Sequence, residues 1–566
     1  MSRVLHFEIQ ADDVERAKSF YAAVFDWAFE DYGQITGSTY WGITTGPEGE
    51  PGIDGGLLQR PTAAPSLGQG TNAFVCTVGV ADYDETERKI LDAGGQAHPV
   101  FVPRTHSLAE VRATPAWQGL ADGEETADVV SVTGRVMFAR GTGKLAFATL
   151  QEGDERLQVM LSLAEVGEES LQAWKHDVDL GDQVSVTGRV VSSRRGELSV
   201  MATSWVLASK ALRPLPNHYE GAQLAEDTRA RRRYVDLVVR PEAREMVRTK
   251  ATVLRSLRET FHRLGYLEVE TPVLQLVHGG ATARPFRTHL NALDVQMSLR
   301  IATELYLKRC VVGGLEKVYE IGRTFRNEGI DSTHSPEFTM LEAYEAYGSY
   351  DTMAELLRSL VVDAATATGR TSIDDGHGGE VDLTGSWRHV TVHDAVSQAL
   401  GEHVDVDTDA AVLRSHAARA GVDLQPGWGA GAVVLELFEK LVEHTLLEPT
   451  FVRDYPAEVR PLARQHRDEP RLSEAWDLVV AGSELSAAYS ELADPVIQRE
   501  RLVAQSVLAA GGDPEAMQLD EDFLRALEHG MPPTGGIGIG VDRLVMLLTG
   551  VGIRETILVP LLRPEG

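Results

Sequence analysis

Cysteine is nearly missing from this 566-residue chain, with only Cys76 and Cys310, far apart and inside apolar runs. That excludes a disulfide-stapled scaffold or a Cys-rich zinc site and fits buried thiols in a reducing compartment. No uninterrupted apolar stretch approaches the roughly 18 residues of a membrane span. Asp12 and Asp13 follow Met1 too closely for a signal peptide, so a cytoplasmic location with no membrane partner is expected. Basic residues are also short: Lys and Arg number 54 against 84 Asp and Glu, a formal net charge of −30. A histone-like or polybasic protein is excluded, and any nucleic-acid contact needs a local basic surface. Aromatics are 7%, but 43% hydrophobic and 24% charged residues are ordinary for folded soluble protein. At roughly 150 residues per domain the length suggests three or four domains.

The first hundred residues read as a repeated β-α-β pattern. A strand from Val4 to Ile9 precedes Asp12-Asp13, a helix cap, and Ala17, Phe20, Tyr21, Val24 and Phe25 recur at helical spacing. A second cycle runs from a strand at Ala73 to a helix capped by Asp82 or Asp84 and ended by Gly94-Gly95, after a turn-rich connector at 60–70. His6-Phe7-Glu8, the turn at 46–52 and Gly55-Gly56 resemble the vicinal-oxygen-chelate (VOC), or glyoxalase-like, superfamily over residues 1–100. A paired module needs further strands, so the segment reads as incomplete. His6 reads as a structural strand residue, with no complete metal site around it. The helix from Asp84 to Ala93 also resembles a short entry helix to the domain that follows.

From about residue 101 to 215 the pattern changes to short alternating strands. Val130–Val136 and Val184–Val190 are near-copies, separated by strand-forming stretches at 144–150 and 157–160. A small barrel of the OB-fold type is expected. Such barrels stack bases on aromatics beside cations, and Phe147 with Arg140, Lys144 and Gln158 supplies those groups, unless Phe147 is a core residue.

The linker Leu212–Pro216 and a basic helix start at Arg229–Arg233 lead into a long α+β region, 216–566. Helical periodicity is clear at Val253, Leu254, Leu257, Phe261 and Leu264 and over 433–447. Irregular β-α alternation without a GxGxxG favours antiparallel strands over a doubly wound sheet. Three clusters stand in order: Phe261–Pro272, where a helix breaks at Gly265 into a strand; Tyr319–Gly329 with His334–Tyr344; and Gly536-Ile537-Gly538-Ile539-Gly540-Val541-Asp542-Arg543 running into a helix.

Together these clusters resemble motifs one, two and three of the class II aminoacyl-tRNA synthetases. Gly279–His289, Thr303–Arg309 and Tyr489–Pro495 are similar to active-site segments of the lysyl branch, and the likeness covers roughly 85–566. It is strongest to the synthetase half of the actinobacterial lysyl-phosphatidylglycerol-linked type, whose membrane domain is not expected here. The resemblance implies an α+β multidomain protein: a glyoxalase-like βαβ segment, an OB-fold anticodon-binding barrel, and an antiparallel catalytic sheet with flanking helices. It implies a homodimer acting on ATP, L-lysine and tRNA(Lys) with Mg2+.

Carboxylate attack on an α-phosphate needs a cation, and Arg326 is the candidate. Phe338 and the Arg543 guanidinium would sandwich the base, with His334 by the terminal phosphates and Glu328 on the adenine amino group. A tight turn near Val480 and Ala481 predicts Asp477 directly across a hairpin from Glu484, a magnesium clamp in which Asp477 stands where the family has glutamate. Two buried ammonium groups need carboxylate partners. By resemblance, Glu304, Glu342 and Gly280 take the α-amino end, and Glu491 with Tyr344 the ε-ammonium, while Arg326, Tyr489 and Gly538 complete the lysine site. Ala487, Tyr489 and Glu491 alternate on one strand face, and the three-residue step from Glu484 to Ala487 predicts a bulge. Ala487 and Thr333 replace a family asparagine and arginine, losses of about 0.5–1.5 and 1.5–3 kcal/mol. Those changes, with the N-terminal fusion, also raise the alternative of a tRNA-independent ligase giving a lysine-like acyl group to a small acceptor.

Overall fold

The computed structural model describes residues 7–11, 13–36, 39–47, 53–59, 99, 101–216, 224–425, 427–511 and 515–563. His6, Cys76, the connector at 60–70 and the whole second strand-helix cycle lie outside them. The chain divides into two compact units, Met1–Ala222 and Gln223–Gly566.

In the first unit, β1 (Phe7–Ala11), the helix Val14–Phe25, β2 (Ala28–Asp31), β3 (Tyr40–Thr44) and β4 (Gly55–Gln59) form a βαβββ sheet of order β1-β4-β3-β2. Strand β1 runs parallel to β4 and the other pairs are antiparallel. Asp13 caps the helix, its side chain accepting from Arg16 N at 3.0 Å. Phe7, Val14, Trp27, Ile43 and Leu57 are its buried centre. A Cβ on Gly55 would lie 2.6 Å from the Phe7 ring, so glycine is what lets β4 close on β1.

Strands β5 (Glu125–Thr142), β6 (Leu145–Glu152), β7 (Glu155–Ser162), β8 (Gln183–Ser192) and β9 (Leu198–Ser209) close into a barrel, β5-β6-β7-β9-β8. The two near-copies in the sequence pair with each other: Val130 opposes Gly188, Val132 opposes Val186 and Gly134 opposes Val184. Their valines 130, 132, 136, 184, 186 and 190 all point into the barrel core, each worth about 1.5–3 kcal/mol on full burial. A helix absent from the sequence reading, Leu108–Ala113, brings Leu108 and Val111 to this core. Ser107 and Glu110 start it as a reciprocal capping box.

The second unit is built on a mainly antiparallel sheet. Short strands β10 (Leu267–Glu268), β11 (Leu274–Gln275), β12 (Arg287–Leu290) and β13 (Val295–Leu299) precede β14 (Lys317–Phe325) and β15 (Glu337–Ala346). A two-stranded ladder of β16 (Ser372–Asp374) and β17 (Glu380–Asp382) intervenes before β18 (Arg388–Thr391), β19 (Thr450–Arg453), β20 (Ala475–Val480), β21 (Ser483–Ser490) and β22 (Thr534–Gly540). The eight-stranded order is β10-β14-β15-β22-β21-β20-β19-β18, parallel only at its two outer pairs. One face carries Leu341, Ile537, Ile539 and Ala488 against Val253, Leu257 and Phe261 of the helix Pro241–Arg263 and Leu357 and Leu360 of the helix Tyr350–Thr368. Period-two alternation then turns Glu342, Tyr344, Ala487 and Tyr489 to the other face. The expected strand ending at Pro272 is reduced to β10, and Cys310 is half-buried rather than buried.

A Cβ on Gly188 would sit 2.0 Å from the carbonyl oxygen of Met201. Backbone cannot yield as a flexible side chain does, so Gly188→Ala is expected to cost about 1–3 kcal/mol. Urea unfolding of the full chain checks this by a lowered midpoint, and an unchanged midpoint contradicts it.

Candidate active site

The cavity on the second face exists because its central strand has no side chains there. Gly536, Gly538 and Gly540 of β22 pair with Tyr344, Glu342 and Met340 of β15, and Gly536 and Gly538 also with Tyr489 and Ala487 of β21. A Cβ on Gly536 would lie 1.9 Å from Glu491 Oε1, and one on Gly538 2.9 Å from Met340. Bare backbone thus leaves a cavity of about 390 Å³, lined by every residue assigned to ATP or lysine from Gly280 to Arg543. Gly280 has φ +88, and a Cβ there would approach Glu304 Cβ to 3.0 Å, so glycine is needed on both counts.

One end of the cavity is anionic. Glu342 Oε1 accepts from Thr303 N at 3.0 Å, and Tyr344 donates its hydroxyl to Oε2 at 3.2 Å. Lys308, with no exposed surface, donates to Glu304 Oε1 at 2.6 Å and lies 2.5 Å from Glu491 Oε2. Glu491 Oε1 is buried with no hydrogen-bond partner. Burial pushes Glu342 up to about 7, helped by nearby Glu304. It pushes Glu491 up to about 8, with Lys308 pulling the other way. Burial also holds the Tyr344 phenol well above its ordinary value, so it stays a neutral donor. Three carboxylates and one lysine leave two negative charges when all are ionised, which suits a ligand end bearing two ammonium groups.

The other end is cationic. Arg326 follows β14, its guanidinium 5.3 Å from the centre of the Phe338 ring, its Nε buried without a partner, and burial drawing its pKa down. Arg543 donates Nη1 to the Glu484 carbonyl at 3.0 Å. The cation against the Phe338 ring is Arg326, while Arg543, expected on the other side of a base from that ring, is held from β21. Asp542 anchors the helix Val541–Thr549, which carries Arg543, by accepting from Thr339 N at 2.8 Å, from Lys250 and from Thr556. His334 and Glu328 are exposed at the rim. Asp331 organises the rim by accepting from Thr333 N at 2.7 Å and His334 N at 2.8 Å, which depresses its own pKa. Thr333 and Ala487 both line the cavity.

The Asp477–Glu484 hairpin differs from expectation. Ala481 and Gly482, at φ 51 and 73, make the two-residue turn. The predicted bulge is present, with Leu478 opposite Ser486 and Val479 opposite Glu484. The turn falls at Ala481–Gly482 rather than Val480–Ala481, which moves the partner of Asp477 from Glu484 to Ser486, and the extra residue, Leu485, moves it on to Ala487. Glu484 lines the cavity, whereas Asp477 Oδ2 is taken by Arg460 and its Oδ1 is buried without a partner. Among the described residues no cluster of three or more His, Cys, Asp or Glu is placed to ligate a metal.

Sequence reasoning missed Lys308 and Arg460. The first had a signal, since Glu304 and Lys308 stand four apart on one helix. The second pairs with a residue 17 positions away and had none.

On the barrel, Arg140 opposes Phe147, its guanidinium 4.8 Å from the ring centre. Ala146, Ala148 and Leu150 point inward, so Phe147 is on the outer face and not in the core. Gln158, across from Thr149, donates Nε2 to Ser199 Oγ at 2.9 Å.

Comparison with known proteins agrees with this geometry. Residues 225–563 match the family of class II tRNA synthetases (D, K and N), and residues 130–208 match the OB-fold nucleic acid binding domain. The chain belongs to the class II aminoacyl-tRNA synthetases. It is 58% identical over 484 residues to a lysine–tRNA ligase of Kineococcus radiotolerans, covering 85% of this chain and 96% of that protein. A lysine–tRNA ligase of Mycobacterium tuberculosis is 53% identical over 488 residues, covering 84% and 95%. The lysylphosphatidylglycerol biosynthesis bifunctional protein LysX of Mycolicibacterium gilvum is 50% identical over 479 residues, 84% of this chain and 42% of that protein. Within its class the chain is thus a member of the lysine–tRNA ligase family. Among the described residues no helix is long and apolar enough to cross a membrane.

Replacing Lys308 by methionine strands Glu304 and Glu491 as uncompensated buried carboxylates, a loss of about 3–5 kcal/mol. Without Lys308 the Glu491 carboxyl, already raised by burial, rises further in the folded state, so protonation relieves the penalty at low pH and the loss grows as pH increases from 6 to 9. Unfolding of Lys308→Met across that range checks the sign; a pH-independent loss is the contrary result.

Proposed function

We propose that this protein is a lysine–tRNA ligase, converting L-lysine and ATP to lysyl-adenylate and passing the lysyl group to tRNA(Lys). The observation that carries the reading is the anionic end of the cavity, where Glu304 and Glu491 share one Lys308 and, with Glu342 beside them, leave two charges for two ammonium groups. Glu304 and Glu342, beside Gly280, take the α-ammonium. Glu491 and Tyr344 take the ε-ammonium, and Tyr489 and Gly538 complete the walls. The lysine carboxylate then points to the cationic end, where Arg326 neutralises it and the α-phosphate as an oxygen attacks phosphorus and diphosphate leaves. The ribose hydroxyl at the tRNA terminus next attacks the acyl carbon, and AMP departs. Arg543 and Phe338 hold the base, Glu328 reads its amino group, and His334 stands by the terminal phosphates.

Magnesium fits the hard oxygen donors present. Glu484 lines the cavity and Asp477 has an unpartnered buried oxygen, and these two would hold an ion that neutralises phosphate charge. The outward Phe147, with Arg140 and Gln158, suits stacking and pairing with anticodon bases. Exposed Leu267, Leu274, Leu276 and Leu293 support a homodimer through the region of the short strands. Residues 1–100 are assigned as an incomplete glyoxalase-like segment, which the βαβββ sheet suits, 101–215 as the anticodon-binding domain and 216–566 as the catalytic domain, in a cytoplasmic enzyme. Nothing favours the alternative of a small-molecule acceptor.

The test is aminoacylation of total tRNA with lysine, ATP and magnesium, beside lysine-dependent pyrophosphate exchange. Wild type is expected to do both. Glu491→Gln removes a charged contact worth about 1.5–3 kcal/mol, roughly 10- to 150-fold in kcat/KM for lysine in both assays. Exchange without charging would refute tRNA as acceptor. Phe147→Ala forfeits about 1–3 kcal/mol of stacking and is expected to raise KM for tRNA while leaving exchange unchanged. A matching loss in exchange would place Phe147 outside RNA recognition.

A further inference from the structure

A third cation lines the nucleotide end, and nothing above gives it a role. Arg460 ends the short 3-10 turn Ala457–Val459 and reaches the cavity with Arg326, Arg543 and Glu484. It binds Asp477 Oδ2, lies 4.3 Å from the Tyr455 ring centre and 6.0 Å from that of Tyr489, and keeps a buried Nε without a partner. The Asp477 that it binds pairs across the hairpin with Ala487, which also lines the cavity.

This position is built. Arg501, from the helix Pro495–Ala510, donates to the carbonyls of Arg460, Pro461 and Ala463 at 3.3, 3.2 and 2.7 Å. Arg464 N donates to Ser490 O at 2.7 Å, and Ala463 bridges to Glu491, so the turn is fastened to the strand that carries the lysine site.

We propose that Arg460 is a resident cation of the nucleotide site, occupying at Asp477 the place that a second divalent ion would take and offering its charge to the substrate's phosphate oxygens. The inference rests on the ATP-dependent reading above. A guanidinium already on one Asp477 oxygen repels another dication there, so the Asp477–Glu484 pair has capacity for one ion rather than two. The fixed charge then does part of what a second metal would do for a polyanion.

Manganese titration followed by electron paramagnetic resonance, on the full chain with lysine and a non-hydrolysable ATP analogue, counts the ions. Wild type is expected to bind one per protomer, Arg460→Lys one, and Arg460→Ser or Arg460→Gln two. In pyrophosphate exchange at fixed MgATP, wild type is expected to show no further demand for free Mg2+. The neutral variants are expected to be at least tenfold slower at low free Mg2+ and to recover as it rises. Two ions on wild type overturn the proposal whether or not the variants fold, as does an unchanged count and Mg2+ dependence in folded Arg460→Ser. Absence of any lysine-dependent exchange by wild type would instead refute the functional reading, while the manganese count still reports on Arg460.

Discussion

The site depends on a strand with nothing on one face. An antiparallel sheet ordinarily fills both faces with side chains, and β22 lies at its centre between β15 and β21. Glycine at 536, 538 and 540 empties one face while Ile537 and Ile539 hold the other in the core. The cavity therefore rests on the buried core of the unit, and its depth is set by backbone. The neighbouring strands can then project long side chains over that floor, Glu342 and Tyr344 from one side and Tyr489 and Glu491 from the other, without colliding. Rigidity and emptiness come from the same alternation.

Charge is arranged along that floor in two compartments. Buried carboxylates resist ionisation, and grouping three of them would favour protonation over ligand binding. Lys308 resolves this from below by giving Glu304 and Glu491 a shared cation that never leaves the fold. At the opposite end the guanidinium of Arg326 is desolvated with an unpartnered nitrogen, a mirror-image deficit of negative charge. A zwitterion with an extra distal ammonium satisfies both ends together, which neither end accomplishes alone.

Much of this was legible in the sequence because it is carried by local patterns. Alternating glycines before a helix, the i,i+2 series Ala487, Tyr489 and Glu491, the near-copied barrel strands and the bulge before Ala487 each follow from spacing alone. What escaped was set by register and by long-range pairing. The bulge follows from spacing, but the turn expected at Val480–Ala481 lies one residue later, at Ala481–Gly482, and that shift together with the bulge moves the partner of Asp477 from Glu484 to Ala487. The short helix Leu108–Ala113 has a capping signal in Ser107 and Glu110 that is readable in the sequence. The approach of Arg326 to the Phe338 ring had no signal, because spacing cannot tell which of two arginines reaches a ring.

Departures from a family pattern are better understood together than singly. Taken alone, Ala487 looks like a lost hydrogen bond and Asp477 like a shortened ligand, both weakening the nucleotide end. In three dimensions they face each other across β20 and β21, and Arg460 binds the Asp477 carboxylate. A shorter acid and a smaller neighbour are what a guanidinium needs to enter beside them, and Arg501 fixes the turn that delivers it. The positive charge at this point is thereby moved from a diffusible ion to the polypeptide. Such an exchange preserves electrostatic balance at the phosphates while altering which variable controls it. The departures then describe one local rearrangement of cation and ligand, not an accumulation of defects.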